Sequence, residues 1–458
     1  MCGINAVISS ENIFNDLYEG LYHLQHRGQD SSGIAYLEKS NDKIKIIKST
    51  GLLSDNITDN PELRIGIGHV RYPTTGGVTL NECQPLILNT DKHNISMVHN
   101  GQINITNKLE SFLIDNKIEL PKNISDSHYL LYILSYYISK YTLLTVDIIK
   151  DITIKIQDLL DGSYNCICII SGYGLICFKD RNSIRPLIYG KHKQGDNYMI
   201  TSESISLTSL NYDICDDIYG DDLLYFDLKY ELHKLKLTDT NEFTPCIFEW
   251  VYLAREESIL YNVNVHSARV KMGEYLSNNI KKNMDISDID SIIPIPDTSK
   301  PIALTVSKLL GIPYHEAITK NRYVNRTFIM NNQKNRRFNI KRKLNIIKHL
   351  VENKNIMIVD DSIVRGNTLK HIITLLRDNN VNKIFVVSSS PEIINKNVYG
   401  LDIPDKTELL CSKYTKAEIK KIYKIDELIF QDIQDLKKSI QYFNSRITNF
   451  ETSIFEKS

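Results

Sequence analysis

The stretch that most constrains this chain is residues 356–370, IMIVDDSIVRGNTLK. Ile356, Met357, Ile358 and Val359 form a short apolar run that closes at once on a polar turn, which reads as a buried strand. Two adjacent carboxylates follow, Asp360 and Asp361. A small polar loop from Ser362 to Thr368, with Gly366 inside it, leads into a helical stretch from Leu369 to Arg377. Such an arrangement can hold a phosphorylated sugar. The loop amides and the helix N-terminus face a phosphate, while the carboxylates take ribose hydroxyls or a hard cation such as Mg²⁺. No Lys-Ser/Thr pair follows the glycine and no GxGxxG is present, which excludes the two common nucleotide-loop signatures. Strand, acidic pair and helix alone fit an ordinary strand end equally well, with an Asp capping the next helix.

A chain of 458 residues is too long for one typical core, so two domains are expected. Lys plus Arg and Asp plus Glu both number 55, so no global field favours nucleic acid or an anionic membrane. The longest apolar-leaning stretch, Cys166 to Phe178, is interrupted by Ser171, Gly172 and Gly174 and is too short to span a bilayer. The N-terminus carries Glu11 and Asp16 and lacks a basic-then-apolar signal pattern. Eight cysteines without a secretory signal or a CxxC point to reduced thiols and a cytoplasmic location. Cys166 and Cys168 lie on alternating strand positions and read as core.

The chain starts Met1-Cys2-Gly3-Ile4. Removal of the initiator Met leaves Cys2 with a free α-amine, which places a nucleophile and a base on one residue. Alone this is weak, since most cysteines at position 2 do nothing. Three further segments add to it. Residues 26–33, HRGQDSSG, form a glycine-punctuated turn between a helical stretch (Leu17–Leu24) and a strand (Ile34–Leu37). A strand from Ile65 to Val70 delivers His69-Val70-Arg71-Tyr72-Pro73-Thr74, and another from Ile95 to Val98 ends at His99-Asn100-Gly101. Together CGI, HRGQDSSG, HVRYPT and HNG resemble the glutaminase domain of class II glutamine amidotransferases, the N-terminal-nucleophile hydrolases.

That resemblance implies roles. Cys2 attacks the glutamine side-chain amide; Asn100 and the Gly101 N–H form the oxyanion hole. Arg71 clamps the α-carboxylate, Asp126 takes the α-ammonium, and Arg27 and Gly28 line the glutamine site. Asp161-Gly162-Ser163-Tyr164, Ile184-Arg185-Pro186-Leu187 and Ser202-Glu203-Ser204 read as scaffold, with Tyr164–Phe178 and Leu187–Thr201 building stacked sheets.

The join falls in the polar stretch 229–245, giving expected domains 2–238 and 239–458. In the second half, VDDSIVRGNT resembles the phosphoribosyl pyrophosphate (PRPP) signature of type I phosphoribosyltransferases. A second strand–loop–helix unit starts at Ser291, with Pro301 at the favoured first helical position. It resembles the pyrophosphate loop of the same enzymes, in which Ser299 matches a position that helps hold Mg²⁺. Alternating strands (Ile356–Val359, Ile384–Ser388) and helices predict a parallel doubly wound sheet. Between the two loops lie Lys320 to Ile329 and a basic run, 334–343 (KNRRFNIKRK). By itself that run is a solvated face or an RNA patch. A neutral chain without stacking aromatics argues against RNA, and in context the segment resembles the flexible loop that closes over PRPP.

The chain from Cys2 to about Phe455 as a whole resembles the amidophosphoribosyltransferases. The implied fold class is α/β: an N-terminal-nucleophile αββα sandwich glutaminase domain, then a doubly wound parallel-sheet type I phosphoribosyltransferase domain. The implied reaction opens de novo purine synthesis, turning glutamine, PRPP and water into phosphoribosylamine, glutamate and pyrophosphate, with ammonia passing through an internal channel. PRPP would be held by Asp360, Asp361, Ser362, Ile363, Val364, Arg365, Gly366, Asn367 and Thr368, with Lys320 and Arg326. One Mg²⁺ would sit on Ser299, Asp360 and Asp361. Purine nucleotides are the implied inhibitors and a homo-oligomer, tetramer or dimer, the implied assembly; no nucleic-acid or membrane partner is implied.

Several residues depart from the family pattern. One branch carries a four-cysteine iron–sulfur cluster; here only Cys246 matches a ligand, Asn397 takes a second ligand position and no Cys follows Cys411, so no cluster is expected. Asn367 replaces a Thr, Asn325 replaces a Gly in the closing loop, and Gln102 follows the HNG motif where Asn is common. Two other readings exist: an uncoupled enzyme, either a glutaminase or an ammonia-dependent transferase whose channel does not work, supported only by Asn325, and a non-catalytic PRPP-binding regulator. The latter needs neither Cys2 nor Asn100 and usually carries a DNA-binding module.

Overall fold

The computed structural model describes residues 2–38, 43–53, 62–72, 80–122, 124–238, 243–321 and 344–456. Two units result. The first holds residues 1–246 with 259–261 and 398–402; the second holds 247–258, 262–397 and 403–458.

The first unit is organised by the strand Gly3–Ile8, which is paired on both sides: antiparallel to Tyr198–Thr201 and antiparallel to Leu63–Arg71. Side chains alternate along it, as the strand period of two requires. Ile4, Ala6 and Ile8 enter one apolar layer together with Val98, Ile167, Ile169 and Leu175 of a second sheet. Val7 faces the other way, into a cluster with Leu17 and Leu21 of the helix Phe14–His23. The first sheet has seven strands, in the order Tyr212–Asp217, Ile188–His192, Tyr198–Thr201, Gly3–Ile8, Leu63–Arg71, Ser31–Glu38, Ile44–Thr50. The second has six: Leu232–Lys236, Asp222–Phe226, Gly174–Lys179, Asp161–Ile170, Asn94–Asn104, Leu86–Asn89. Its outer face packs on Leu130, Ile133 and Leu134 of the helix Asp126–Ser139 and on Ile149, Ile152 and Ile156 of the helix Val146–Leu159. Helix, sheet, sheet, helix is the expected sandwich. Cys166 and Cys168 are fully buried in it.

Local boundaries differ from the sequence expectation where polar residues extend a strand. The strand expected to end at His99-Asn100-Gly101 runs on as Asn94–Asn104 and stays paired with Asp161–Ile170 throughout. Gly101 bends it without ending it: its φ is +149°, and a Cβ there would lie 2.0 Å from the Ser163 carbonyl oxygen. Likewise the strand Ser31–Glu38 begins inside the HRGQDSSG segment, and Leu232–Lys236 occupies part of the polar stretch 229–245.

The second unit carries a four-stranded sheet, ordered Ser291–Pro294, Ile356–Asp360, Ile384–Ser388, Glu427–Phe430, with every pair parallel. These strands are almost wholly apolar because helices cover both faces. Ile293, Ile356, Ile358 and Val386 pack against Leu369, Ile372 and Leu376 of the helix Asn367–Asp378. Ile292, Met357, Val359 and Val387 pack against Leu276 and Ile280 of the helix Val265–Asn283 and against Ile302 and Val306 of the helix Lys300–Leu310. The helix after the acidic pair starts at Asn367, two residues earlier than expected, because Gly366 takes a left-handed φ of +75° and turns the chain into it.

Ile358 is fully buried in this sheet. Ile358→Ala is expected to destabilise the second unit by about 3 kcal/mol through lost contacts and a residual cavity. Urea unfolding followed by the fluorescence of Trp250, the sole tryptophan of the chain, measures this directly, since Trp250 belongs to the same unit.

Candidate active site

Cys2 stands at the head of the doubly paired strand Gly3–Ile8. A Cβ on Gly3 would come within 2.9 Å of Leu24 Cβ and Val70 Cγ2, so the residue after the thiol must be glycine for the chain to seat there. The Cys2 backbone nitrogen donates to Asn100 Oδ1 at 3.4 Å. That bond orients the Asn100 amide, and its Nδ2 is left buried with no hydrogen-bond partner. An unpartnered buried donor beside a thiol suits an oxyanion, which would satisfy it.

Two buried imidazoles lie on the strands Leu63–Arg71 and Asn94–Asn104. His69 is held at about 3, by burial first and by the Arg71 charge second. His99 is also held below its ordinary value by burial, opposed by Asp126 and Cys2. His99 Nδ1 lies 2.8 Å from Ser127 Oγ, which in turn accepts from Gln84 Nε2 at 3.0 Å. Both imidazoles are therefore neutral and act as fixed dipoles near the thiol.

Asp126 opens the helix Asp126–Ser139. Its Oδ2 accepts from Ile103 N and its Oδ1 from Ser127 N, both at 2.9 Å, tying it to the strand that carries Asn100. Arg71 ends the strand Leu63–Arg71; its Nη1 is buried without a hydrogen bond, and Glu82 Oε2 stands 3.7 Å away. A guanidinium with an unsatisfied donor suits a carboxylate ligand. Gly28 packs directly on that strand, since a Cβ there would lie 2.5 Å from the Val70 carbonyl carbon. Arg27 lies directly against the nucleophile residue. Its side chain is fully buried, donates from Nε to the Cys2 carbonyl at 3.1 Å, and pairs with Glu203. Residues 398–402 are a feature the sequence concealed. They belong to the first unit, where Ser163 Oγ and Arg185 Nε donate to the Tyr399 carbonyl at 2.7 and 3.0 Å. A Cβ on Gly400 would come within 2.9 Å of Gly101. No periodicity marks five residues that leave one unit and rejoin it.

In the second unit, Asp360 and Asp361 end a central strand of the parallel sheet, at the edge where such sheets bind ligands. Both are buried. Asp361 is pushed up to about 6 by burial, and Asp360 rises well above the ordinary carboxylate range through burial and the neighbouring Asp361. Two buried adjacent carboxylates with hard oxygen donors fit a divalent cation or sugar hydroxyls, either of which would compensate them. Asp360 Oδ1 accepts from Asp361 N at 3.0 Å, and Asp361 Oδ1 from Ser362 Oγ at 2.8 Å. Ser299 is buried, donating from Oγ to the Ile295 carbonyl at 2.6 Å, and Ile295 N in turn bonds Val359 O beside the acidic pair.

Along the loop, the Ile363 side chain is in the core, Val364 O is bonded by Leu410 N at 2.9 Å, and Arg365 pairs with Glu408. Asn367 and Thr368 are exposed in the first helical turn. Lys320 Nζ reaches Asp297 Oδ2 at 2.8 Å. Arg326, Asn325 and the basic run lie outside the described residues. The one other grouping with metal-ligand spacing among the described residues, Asp227, Glu231 and His233, lies on a hairpin of the first unit.

A chain with an N-terminal-nucleophile glutaminase sandwich and a parallel-sheet domain ending in an acidic pair defines a glutamine amidotransferase coupled to a phosphoribosyltransferase. Comparison with known proteins agrees. Residues 77–209 match the family model described as a glutamine amidotransferase domain. The chain is 39% identical to the amidophosphoribosyltransferase of Pasteurella multocida, covering 99% of this chain and 92% of that one. It is 33% identical to the Saccharomyces cerevisiae amidophosphoribosyltransferase, with 99% and 91% covered. The solved glutamine PRPP amidotransferase of B. subtilis, complexed with ADP and GMP, superposes with a TM-score of 0.83 at 28% identity, over 99% of this chain and 94% of that one. The chain belongs to the amidophosphoribosyltransferase family, and is thus a glutamine-dependent phosphoribosyltransferase of the first step of de novo purine biosynthesis.

Two outcomes follow. Asn100→Ala is expected to lower the glutamine-dependent kcat by about 10²- to 10³-fold, the usual cost of one oxyanion donor, in a steady-state glutamate assay. Asp361 has a raised folded-state value, so its contribution to stability is complete below the unfolded value of 3.8 and is lost as pH rises through about 6. Asp361→Asn is therefore expected to stabilise the ligand-free protein at pH 8, by on the order of 3 kcal/mol, and not at pH 4. Thermal unfolding of both proteins at the two pH values tests the sign.

Proposed function

We propose that Cys2, once its α-amine is free, attacks the side-chain amide of glutamine and that the α-amine takes the thiol proton. The tetrahedral oxyanion is stabilised by Asn100 Nδ2 and the Gly101 N–H. The α-ammonium returns the proton to the departing nitrogen, and collapse expels ammonia and leaves a thioester, which water cleaves to glutamate. Arg71 binds the substrate α-carboxylate and Asp126 its α-ammonium. The buried Asn100 amide, held through its oxygen by Cys2 and unpartnered at its nitrogen, is the observation that carries this reading.

In the second unit, Asp360 and Asp361 hold the ribose hydroxyls of PRPP, and the amides from Ser362 to Thr368 receive the 5′-phosphate at the start of the helix Asn367–Asp378. Ammonia from Cys2, delivered internally, attacks the ribose C1 and pyrophosphate departs from the opposite face. The donors Asp360, Asp361 and Ser299 fit a Mg²⁺ ion, which when bound would supply charge neutralisation to the departing pyrophosphate. Lys320, with Arg326, meets the pyrophosphate. Purine nucleotides inhibit, as the ADP and GMP in the B. subtilis enzyme support. The assembly is a homo-oligomer in the cytoplasm; among the described residues no helix is long and apolar enough to cross a membrane.

The test is release of glutamate and pyrophosphate with glutamine and Mg²⁺, with and without PRPP. Equimolar release that requires PRPP, is lost in Cys2→Ala and returns with added ammonia is the expected outcome. Glutamate release independent of PRPP would make the chain an uncoupled glutaminase. Binding of PRPP without either product would replace the enzyme by a regulator.

A further inference from the structure

Cys2 is held from two sides. Its nitrogen bonds Asn100, as above, and its carbonyl accepts from Arg27 Nε at 3.1 Å. Arg27 has a fully buried side chain, and a guanidinium there requires a compensating charge and a fixed plane. Glu203 supplies both. Its side chain is also fully buried, and Oε1 receives Arg27 Nη1 together with His26 Nε2 at 2.8 Å. His26 in turn has Nδ1 3.2 Å from the His23 carbonyl, so both of its ring nitrogens face acceptors. Glu203 is itself anchored beside the nucleophile strand. The preceding Ser202 donates its N–H to Ile4 O and accepts from Ile4 N at Oγ, each at 3.0 Å.

We propose that Glu203 is a positioning residue for the nucleophile, acting through Arg27 on the Cys2 carbonyl, and that Arg27 serves the enzyme's own backbone in preference to the glutamine substrate. The inference rests on the reading of Cys2 as nucleophile. Its chemistry is that of a lever. The carboxylate fixes the guanidinium fork, the fork fixes the Cys2 peptide plane, and the thiol then stands in register with the Asn100 amide. With a loosened fork, glutamine still binds at Arg71 and Asp126, but the attack is misaligned. The loss therefore falls on kcat, and KM for glutamine is unaffected.

The experiment compares Glu203→Gln, Arg27→Lys, Arg27→Gln, the double variant Arg27→Gln/Glu203→Gln, and Cys2→Ala. Arg27→Lys retains a charge opposite Glu203 but replaces the rigid planar fork with a single freely rotating ammonium. Glutamine-dependent kcat and KM are measured beside ammonia-dependent pyrophosphate release, which does not use Cys2 and reports a folded chain. Glu203→Gln and Arg27→Lys are expected to lose about 10- to 100-fold in kcat, the usual cost of a misplaced reacting group, with KM and ammonia-dependent release unchanged. The double variant is expected to be no worse than Arg27→Gln alone, since two residues in one lever are not additive. Full kcat in Glu203→Gln or in Arg27→Lys overturns the proposal, as does a rise in KM at constant kcat, which would assign Arg27 to the substrate. Multiplicative losses in the double variant also overturn it. Should Glu203→Gln lose ammonia-dependent release as well, Arg27→Lys alone decides. Glutamate release that survives in Cys2→Ala would instead remove the nucleophile reading itself.

Discussion

Much of the first unit depends on the pairing of one strand, Gly3–Ile8, along both of its edges. Because it is interior, its N-terminal residue cannot drift. Cys2 is placed by the ladders to Val70 on one side and to Thr201 and Ser202 on the other. Those same neighbours deliver the rest of the site, since Arg71 follows Val70 and Glu203 follows Ser202. A nucleophile at a chain terminus would ordinarily fray. Here the sheet, the Asn100 side chain and the buried Arg27–Glu203 pair remove that freedom before any substrate arrives.

The two sites use burial in opposite ways. Around Cys2, burial holds His69 and His99 below their ordinary values, and Arg27 and Glu203 neutralise each other, which leaves Arg71 and Asp126 as the charges suited to the two charged ends of an amino acid. At the edge of the parallel sheet, burial acts on Asp360 and Asp361 and raises both, which stores an electrostatic penalty that a cation or a sugar relieves. Ligand binding at the second site is therefore linked to pH through the acidic pair.

Much of this was legible beforehand because the elements involved obey local rules. The strand Ile356–Asp360 announces itself by a short apolar run, and the helix Lys300–Leu310 by Pro301 near its start. The parallel sheet follows from strand–helix alternation in the second half, whereas the four-layer sandwich was implied by the resemblance carried by CGI, HRGQDSSG, HVRYPT and HNG. Legibility failed where a residue's role is set by something distant in sequence. Gly101 reads as a turn because glycine after His-Asn usually ends a strand, yet pairing with Tyr164 carries the strand to Asn104. The partner of Arg27 is another case: the resemblance implies only a place in the glutamine site, and Glu203 is 176 residues away.

By itself the sequence determined the order of elements, the family and the identity of the reactive groups: a thiol next to the chain start, an Asn-Gly pair and an acidic doublet at a strand end. The order of elements depends on local periodicity and the reactive groups on residue chemistry, while the family rests on the resemblance of several motifs in order along the chain. Tertiary structure alone decided which groups act on which. It left Asn100 Nδ2 without a partner, turned Arg27 onto the Cys2 carbonyl, brought Gly400 against Gly101, and raised Asp360 and Asp361. Each of these is a consequence of burial and of contacts between residues far apart in the chain, and neither quantity is a property of a local segment.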